Sequence, residues 1–443
     1  MDELWTNLGP EVINISYTGS RSIIHRVIPI DFSSISAFLT GFSTYPQPLR
    51  LRLRIFTIFF LYKQTHQTVR KGELSTIMKL VFDKADLVKS VGIAMKAVSG
   101  KTTMPILECI LIDASSNVIK FTSNDMELGI ETIVTGMILE RGIVALDAKI
   151  FSEIVRKLPD NQVTIETDEN LVTTITCEKA KFNIPGQSGE DFSYLPILET
   201  SDCVSISQFT LKELIRQTIF SISQESTKQI LTGELFEMKE NALQVVSIDG
   251  YRISFRKSPL EHDFTEKSVV VPGKTLTELT KILSQEEEDK VHLYFTDKHV
   301  LFDLGMATMV SRLLEGEYVS YENNFTEDFK TKIIIDTNEL IQALERASLV
   351  SRDNRKTPVR LELKPNVLVI TARSDMGTAY EEVPNETDGD EMQIAFNPRY
   401  LIEALRAIDD EKVAIRFTGS LSPCTIVPLE GKAYQYLILP LRM

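Results

Sequence analysis

Apolar and polar positions repeat one arrangement of strands and amphipathic helices three times between Met78 and Met443. In each copy a strand runs directly into a helix, and the three openings are LVFDKADLVKSVGIAM from Leu80, SISQFTLKELIRQTIF from Ser205 and IIIDTNELIQALERAS from Ile333. Alternating segments around an asparagine turn then predict hairpin strands, at Asn117, Asn241 and Asn366. A repeat of about 122 residues predicts three tandem domains of one kind.

The second half of each copy contains another amphipathic helix between two apolar strands. Its first residues are Ala148-Lys149-Ile150-Phe151, Gly273-Lys274-Thr275-Leu276 and Pro398-Arg399-Tyr400-Leu401, at spacings of 125 residues. Two helices on antiparallel strands in each copy predict an α+β fold. The predicted domains span residues 78–200, 201–325 and 326–443.

Residues 1–77 do not share this repeat and show no sustained helix or strand period. They hold eight basic and five acidic side chains. We predict an unstructured extension, and the alternative is a basic arm for nucleic acid or a membrane. A further hypothesis is that translation begins at Met78, because Lys71-Gly72-Glu73 is compatible with a purine-rich ribosome-binding site four codons upstream.

The sequence carries no signature of a membrane span, a metal site or a disulfide framework. The best apolar run, from Ile55 to Tyr62, is far shorter than the roughly 20 residues of a membrane helix. Four cysteines are scattered without CxxC spacing, and the histidines lack metal-ligand spacing. We therefore expect a cytoplasmic protein with no membrane partner, no metal and no cofactor.

Gly273-Lys274-Thr275 resembles the end of a phosphate-binding P-loop. That motif requires a glycine five residues earlier, where Ser268 stands, and the segment coincides with the repeated helix start. The chain also contains no GxSxG motif. A nucleotide-dependent enzyme is therefore disfavoured, and no catalytic residue is predicted. A nuclease is disfavoured as well, because the sequence has no clustered carboxylates beside metal-ligand spacing.

Charge is unevenly distributed along the chain. The formal net charge of −14 disfavours a nucleic-acid partner when it is taken as a bulk figure. The six predicted helices nevertheless hold 13 basic and 7 acidic residues, whereas the rest of residues 78–443 has a net charge of −23. These helices span 84–99, 148–158, 211–223, 273–284, 337–350 and 398–408. A surface built from them would suit weak, salt-sensitive contacts with a phosphate backbone that do not depend on base sequence.

The second helices share charge at three aligned positions. The basic positions are Lys149, Lys274 and Arg399, then Arg156, Lys281 and Arg406, with Glu153, Glu278 and Glu403 between them. Basic residues seven apart lie on one helix face, opposite the core positions. A solvated face with intrahelical ion pairs is the alternative, but three aligned copies favour a shared partner. In the first helices Lys89 and Arg216 align, whereas the third copy has Gln342.

Ser247-Ile248-Asp249-Gly250-Tyr251-Arg252-Ile253 and the final Leu439-Pro440-Leu441-Arg442-Met443, set in this repeat, resemble the bacterial sliding clamps, the beta subunits of DNA polymerase III. The resemblance covers residues 78–443. It implies a head-to-tail homodimeric ring whose helices face double-stranded DNA. The implied DNA-facing residues are Lys89, Lys101, Lys149, Arg156, Arg216, Lys274, Lys281, Arg399 and Arg406.

The same resemblance implies two protein-binding surfaces. An apolar cleft would receive peptides from the replicative DNA polymerase, the clamp loader and other proteins with a clamp-binding motif. Its residues would be Leu231, Ile248, Gly250, Tyr251, Arg252, Ile253, Val319, Pro423, Leu437, Ile438, Leu439, Pro440, Leu441 and Arg442. The dimer interface would join Lys179, Lys181, Phe182 and Ile184 to Leu349, Val350, Glu381 and Glu382.

The sequence departs from the family pattern near this cleft, where an aromatic-Pro-x-Tyr segment reads Tyr318-Val319-Ser320-Tyr321 and a basic-apolar pair reads Asn323-Asn324. An ordinary core strand is the alternative interpretation of the final LILPLRM segment. We predict a processivity factor without catalysis of its own. The competing hypothesis is an α+β repeat scaffold that binds only proteins, which leaves the aligned basic positions unexplained.

Overall fold

The computed structural model describes residues 78–100, 102–196, 203–260, 264–350 and 358–442. The predicted extension 1–77, Lys101 and the predicted boundary at residue 200 lie outside the described residues. Within them, each of the three sequence repeats folds into two α-helices on antiparallel strands, as the periodicity predicts.

Eight strands and two helices recur in the same order in the three copies, and the first copy has one further short strand, β5. The first copy consists of β1 (Met78–Asp83), α1 (Lys84–Ala94), β2 (Cys109–Asp113), β3 (Ile119–Asn124), β4 (Leu128–Val134), β5 (Met137–Glu140), β6 (Ile143–Asp147), α2 (Ala148–Lys157), β7 (Gln162–Thr167), β8 (Val172–Cys177) and β9 (Ala180–Ser188). The second consists of β10 (Cys203–Ser207), α3 (Gln208–Arg216), β11 (Gly233–Lys239), β12 (Ala242–Ile248), β13 (Arg252–Pro259), β14 (Lys267–Pro272), α4 (Gly273–Leu279), β15 (Lys290–Phe295), β16 (His299–Asp303) and β17 (Ala307–Arg312). The third consists of β18 (Thr331–Asp336), α5 (Thr337–Ser348), β19 (Val359–Lys364), β20 (Val367–Ser374), β21 (Gly377–Gly389), β22 (Met392–Phe396), α6 (Pro398–Arg406), β23 (Lys412–Phe417), β24 (Cys424–Val427) and β25 (Tyr434–Ile438).

Polar residues at the strand ends begin several of these helices. The Asp147 side chain accepts a hydrogen bond from the Ile150 amide, at 2.8 Å, and Asn397 accepts one from Arg399, at 3.1 Å. Such caps satisfy amide groups that have no partner inside the helix. Because the cap residues follow a strand directly, the chain turns from strand to helix without a loop.

Several helix boundaries differ from the sequence prediction. α1 ends at Ala94 instead of residue 99, and α3 ends at Arg216 instead of residue 223. α3 begins at Gln208, three residues earlier than predicted, and α4 ends at Leu279 instead of residue 284. Threonine hydroxyls within α4 bond to backbone carbonyls, with Thr277 donating to Gly273 and Thr280 to Thr277. Such local bonds compete with regular helical bonding, which explains the shorter helix.

Each copy has its own apolar core between its sheets and helices. In the first copy Phe82, Phe121 and Phe151 are almost fully buried and meet edge to face, with ring centroids 6.0 and 6.1 Å apart. Val155 and Leu158 are buried with them, so the predicted core face of the second helix is confirmed. Burial of this face leaves the charged face of the helix toward solvent.

The described strands form two sheets, one of 13 and one of 12 strands. Both sheets run across a junction between copies, and the same strand pairing makes each junction. β4 pairs antiparallel with β17, for example Gly129 with Val310, and β13 pairs antiparallel with β25, for example Ser254 with Tyr436. The fourth strand of one copy therefore joins the last strand of the next copy.

The strands that correspond to this pairing in the third and first copies are β21, the fourth strand of the third copy, and β9, the last strand of the first copy. In β21, residues 377–384 bond to β20 on one side, and residues 385–389 bond to β18. In β9, residues 180–185 bond to β8 on one side, and residues 186–188 lie against β6. Within the described residues, one edge of 377–384 and one edge of 180–185 are thus left without a strand partner.

Candidate nucleic-acid interface and peptide cleft

The predicted basic positions lie on the outward faces of the helices. Lys89, Lys149, Arg156, Lys274, Lys281, Arg399 and Arg406 are exposed, and Arg216 is half-buried. Lys101, which the resemblance adds to this set, lies outside the described residues. The two basic positions of each second helix therefore share a solvent-facing side, as their spacing predicts.

Helices of the first two copies bring four basic side chains together around one cavity of about 550 Å³. Lys96 and Arg156 come from the first copy, and Lys274 and Lys281 from the second. The floor is apolar and includes Val91 and other residues of α1 and α2. Lys96 was not predicted, although it follows Lys89 by seven residues and so repeats the helical spacing that identified the other positions.

Most of the basic side chains already contact a carboxylate. Lys274 Nζ lies 2.5 Å from Asp125 Oδ2, and Lys281 Nζ lies 2.7 Å from Glu278 Oε1. Three arginines behave alike: Arg216 bonds to Glu213 and Asp409, Arg399 to Glu403, and Arg406 to Glu345. Glu213 thereby raises the pKa of Arg216, and Glu403 that of Arg399. The sequence census missed Asp125 and Asp409 because both lie outside the helices.

Lys89, Lys149 and Arg156 differ from the others, because no carboxylate of the described residues lies within ion-pair distance of them. Arg156 instead donates to the carbonyl of Ser152, at 3.2 Å. The first copy therefore presents the least neutralised basic side chains among the aligned positions.

A compact apolar cluster lies at the junction of the second and third copies. It contains four residues predicted for the cleft, namely Leu231, Ile248, Ile253 and Leu437. Leu235, Val246, Val270 and Tyr321 complete the buried set, with Tyr318 and Phe325 at its border. These additional residues belong to alternating strands or to the aromatic segment after β17, so only the folded chain brings them together.

Arg252 forms one wall of this junction through several contacts. Its Nε donates to Asp249 Oδ2 at 2.9 Å, and its Nη1 donates to Glu403 Oε2 at 2.5 Å. The guanidinium also lies over the Tyr400 ring, 4.6 Å from the centroid. Tyr251 stacks on the same ring at 6.0 Å and remains largely exposed. The wall is therefore a buried arginine between two acids, with an exposed aromatic side chain beside it.

The remaining predicted cleft residues divide into buried and exposed groups. Ile438 is buried in the core of the third copy, so the core-strand interpretation of LILPLRM holds for that residue. β25 ends there, and the chain continues through exposed Leu439, whose amide donates to the Tyr251 carbonyl at 2.9 Å. Gly250, Val319 and Arg442 are exposed, and Pro423, Pro440 and Leu441 are half-buried. Val319, a departure from the family pattern, thus lies on the accessible rim.

A buried carboxyl group lies beneath this cleft. Glu234 of β11 is fully buried and accepts a hydrogen bond from the Ser247 hydroxyl at 2.7 Å. Its second carboxyl oxygen has no hydrogen-bond partner among the described residues. Burial raises the pKa of Glu234 to about 8, which keeps the group protonated near neutral pH. Sequence reasoning missed this residue because a glutamate in a strand is usually exposed.

The predicted interface residues occupy the two free strand edges and the end of α5. Lys179, Lys181 and Phe182 are exposed, whereas Ile184 is 8% exposed and belongs to the core of the first copy. Alternation along β9 turns the Ile184 side chain inward in the single chain, and its assignment to the dimer interface stays a prediction. In the third copy Leu349 is 81% exposed and Val350 half-buried.

Two acidic residues of β21 already have partners within the chain. Glu381 accepts two hydrogen bonds from Arg346, at 3.0 and 2.7 Å, and Glu382 accepts one from the Tyr380 hydroxyl. The bonds from Arg346 lower the pKa of Glu381. Glu381 therefore stays ionised at the free strand edge, opposite in charge to Lys179 and Lys181.

The described part of the chain contains neither a membrane-spanning helix nor a cluster of metal-binding side chains. No described helix is long and apolar enough to cross a membrane. No group of three or more His, Cys, Asp or Glu side chains among residues 78–442, apart from the gaps in the description, has an arrangement that could hold a metal ion.

Family models match the three copies in order. The N-terminal, central and C-terminal domain models of the DNA polymerase III beta subunit match residues 78–196, 205–320 and 323–442. The beta sliding clamp of Bacillus subtilis is 36% identical over 377 residues, which cover 82% of this chain and all of that protein. The beta sliding clamp of Staphylococcus aureus is 34% identical over 376 residues, with 83% and 100% covered.

Solved structures give the same result. A crystal structure of a Eubacterium rectale chain assigned as a DNA polymerase III beta subunit is 50% identical, with a TM-score of 0.80, and covers 83% of this chain and 100% of that one. The crystal structure of the Bacillus subtilis sliding clamp is 36% identical, also with a TM-score of 0.80, and covers 83% and 99%.

Proposed function

The chain belongs to the DNA polymerase III beta-subunit family, the beta sliding clamps, and from this premise we propose that two copies close head to tail into a ring around duplex DNA. In this ring the helices face the DNA and the sheets lie outside. The ring tethers the replicative polymerase to its template and confers processivity.

The observation that carries the proposal is the repeated junction between copies. Both junctions inside the chain join the fourth strand of one copy to the last strand of the next. One edge of 377–384 and one edge of 180–185 are the corresponding strands, and each lacks a partner among the described residues. A free edge favours pairing with another strand. In a head-to-tail dimer, the 377–384 edge of each protomer would pair with the 180–185 edge of its partner. These two pairings would close a ring of six domains.

The distribution of charge supports a ring that encloses duplex DNA. Acidic Glu381 and Glu382 on one edge suit basic Lys179 and Lys181 on the other. On the helices, the exposed side chains Lys89, Lys149, Arg156, Lys274, Lys281, Arg399 and Arg406, with half-buried Arg216 and the predicted Lys101, would meet phosphates of any sequence.

The acidic partners of these basic residues limit how tightly the ring grips. A phosphate that approaches Lys281 or Arg399 must compete with Glu278 or Glu403. Exposed ion pairs are weak, typically about 0.2–1 kcal/mol, so they exchange readily. Enclosure rather than affinity then keeps the ring on DNA, which allows it to slide.

The apolar cleft supports a second activity, the capture of short linear peptides. Buried Leu231, Ile253 and Leu437 offer an apolar floor, and exposed Tyr251 and Leu439 form an accessible rim. Pockets of this kind suit apolar side chains of an extended peptide. We assign as its ligands the clamp-binding motifs of the polymerase, the clamp loader and other DNA-processing proteins.

The protein acts without catalysis in this proposal, in the bacterial cytoplasm where its DNA and polymerase partners are found. A protein-binding repeat scaffold remains the competing function. The test is extension of a primed circular template by the polymerase and clamp loader of the same organism. A clamp lengthens the products made in a single binding event, whereas a scaffold that binds only proteins leaves their length unchanged.

A further inference from the structure

The two junctions inside the chain share a second contact, beside the strand pairing. At the first, Lys274 near the start of α4 bonds to Asp125 in the turn between β3 and β4. At the second, Tyr400 in the first turn of α6 stacks on Tyr251 in the turn between β12 and β13. In both, the hairpin turn of one copy touches the beginning of the second helix in the next copy.

The sequence repeat identifies the residues that would meet when the ring closes. Tyr251 is the tenth residue after Asn241, and the tenth residue after Asn366 is Met376. Tyr400 lies 125 residues after Thr275, which itself lies 125 residues after Ile150. By this correspondence, the ring closure places the third copy's Met376 where Tyr251 stands and the first copy's Ile150 where Tyr400 stands.

Both side chains are large, apolar and exposed in the single chain. Ile150 is 48% exposed on α2, and Met376 is 54% exposed in the turn between β20 and β21. Their charged neighbours are complementary, because Lys149 precedes Ile150 and Asp375 precedes Met376. Both neighbours are exposed, and neither makes an ion pair within the described residues.

We propose that Met376 of one protomer packs on the partner's Ile150, and that this apolar clasp fastens the ring at each closure beside the strand pairing. The occupant is a second copy of this chain, since the clasp continues a contact that the chain makes twice within itself. The inference rests on the proposed ring. The ion-pair and aromatic stacking contacts of the internal junctions are replaced here by aliphatic burial, which is far less sensitive to salt than an ion pair.

The clasp can be tested by exchanging it for an ion pair. The variants are Ile150→Lys, Met376→Glu and the two combined, and the dimer dissociation constant is measured by dilution at low and high salt. Met306→Glu is the matched control, because Met306 is a similarly exposed methionine in the second copy, away from both free edges. Thermal melting of each variant checks that the domains remain folded.

Each single variant is expected to weaken the dimer by about tenfold or more, since a charge then faces an apolar side chain. The combined variant is expected to recover most of the lost affinity at low salt and to lose it again at about 0.5 M salt, where charges are screened. The wild-type dimer and Met306→Glu should change little.

Single variants that dimerise as tightly as the wild type would overturn the clasp, and so would a combined variant no tighter than either single one. Neither result contradicts the proposed ring, provided that the wild type dimerises. A wild-type chain that remains monomeric at every concentration contradicts the ring itself and the clasp with it.

Discussion

The Arg252 guanidinium of the second copy donates to the Glu403 carboxylate of the third, with Nη1 2.5 Å from Oε2. The other oxygen of Glu403 accepts from Arg399 Nε at 2.6 Å. One carboxylate therefore connects an arginine in the cleft wall with an arginine on the helix face that we assign to DNA. The acid that the sequence placed between two basic positions holds the cleft arginine as well.

Glu403→Gln should weaken peptide binding in the cleft more than it weakens binding to DNA. The change removes a charge from a contact with a buried arginine, and we expect the free energy of unfolding to fall by about 1–2 kcal/mol. Binding of a peptide that carries a clamp-binding motif should weaken several-fold, measured by fluorescence titration. Glu345→Gln is the control, because its contact with Arg406 is exposed. Equal effects of the two changes would contradict a special role for Glu403.

Lys274→Ala combined with Lys281→Ala should leave the dimer intact and weaken the direct, salt-dependent binding of the protein to duplex DNA. Each lost phosphate contact lowers the salt dependence of binding by about 0.9 in the logarithmic slope. Binding to a short linear duplex, where enclosure cannot retain the ring, is measured by fluorescence anisotropy at increasing salt. The matched change is Lys412→Ala with Lys432→Ala, two exposed lysines of the third copy that are not on helices. An unchanged salt slope in the first variant would count against the helix assignment.

Glu234 should make the stability of the protein fall as pH rises. Its pKa is raised from 4.5 to about 8 in the folded protein, so the folded state keeps a proton that the unfolded chain has lost. This contribution is fully present below the unfolded pKa and is lost as pH rises through the folded pKa. We expect a loss of about 3 kcal/mol or more between pH 5 and 8, measured by urea unfolding.

Glu234→Gln should remove most of that slope, because a neutral amide replaces the protonated carboxyl group. Glu345→Gln, an exposed carboxylate, is the control and should retain the wild-type slope. A Glu234→Gln variant whose pH dependence matches the wild type would show that another group titrates.

Periodicity predicted the fold because it reports burial directly. Phe151 and Val155 repeat on one face of a helix, and both are buried. Helix ends were predicted less well where threonine side chains bond to the backbone, as Thr277 does in α4. Burial of Ile184 agrees with the alternation of β9, whereas its assignment to the dimer interface came from the family resemblance and not from this alternation.

Contacts between distant segments could not be predicted from sequence patterns. Asp125 bonds to Lys274 across 149 residues, and Asp409 bonds to Arg216 across 193. Neither acid lies in a helix, so counting helix charges overstated the free positive charge on this surface. The internal repeat is the exception, because it relates contacts in one copy to contacts in the next.

Retention on DNA before and after linearisation tests the central claim most directly. The protein is loaded onto nicked circular DNA by the clamp loader of the same organism, free protein is removed, and the circle is cut once. A ring held by enclosure stays on the closed circle at moderate salt and slides off the free ends after cutting. Protein that remains equally bound to the linear DNA is held by affinity and contradicts the ring.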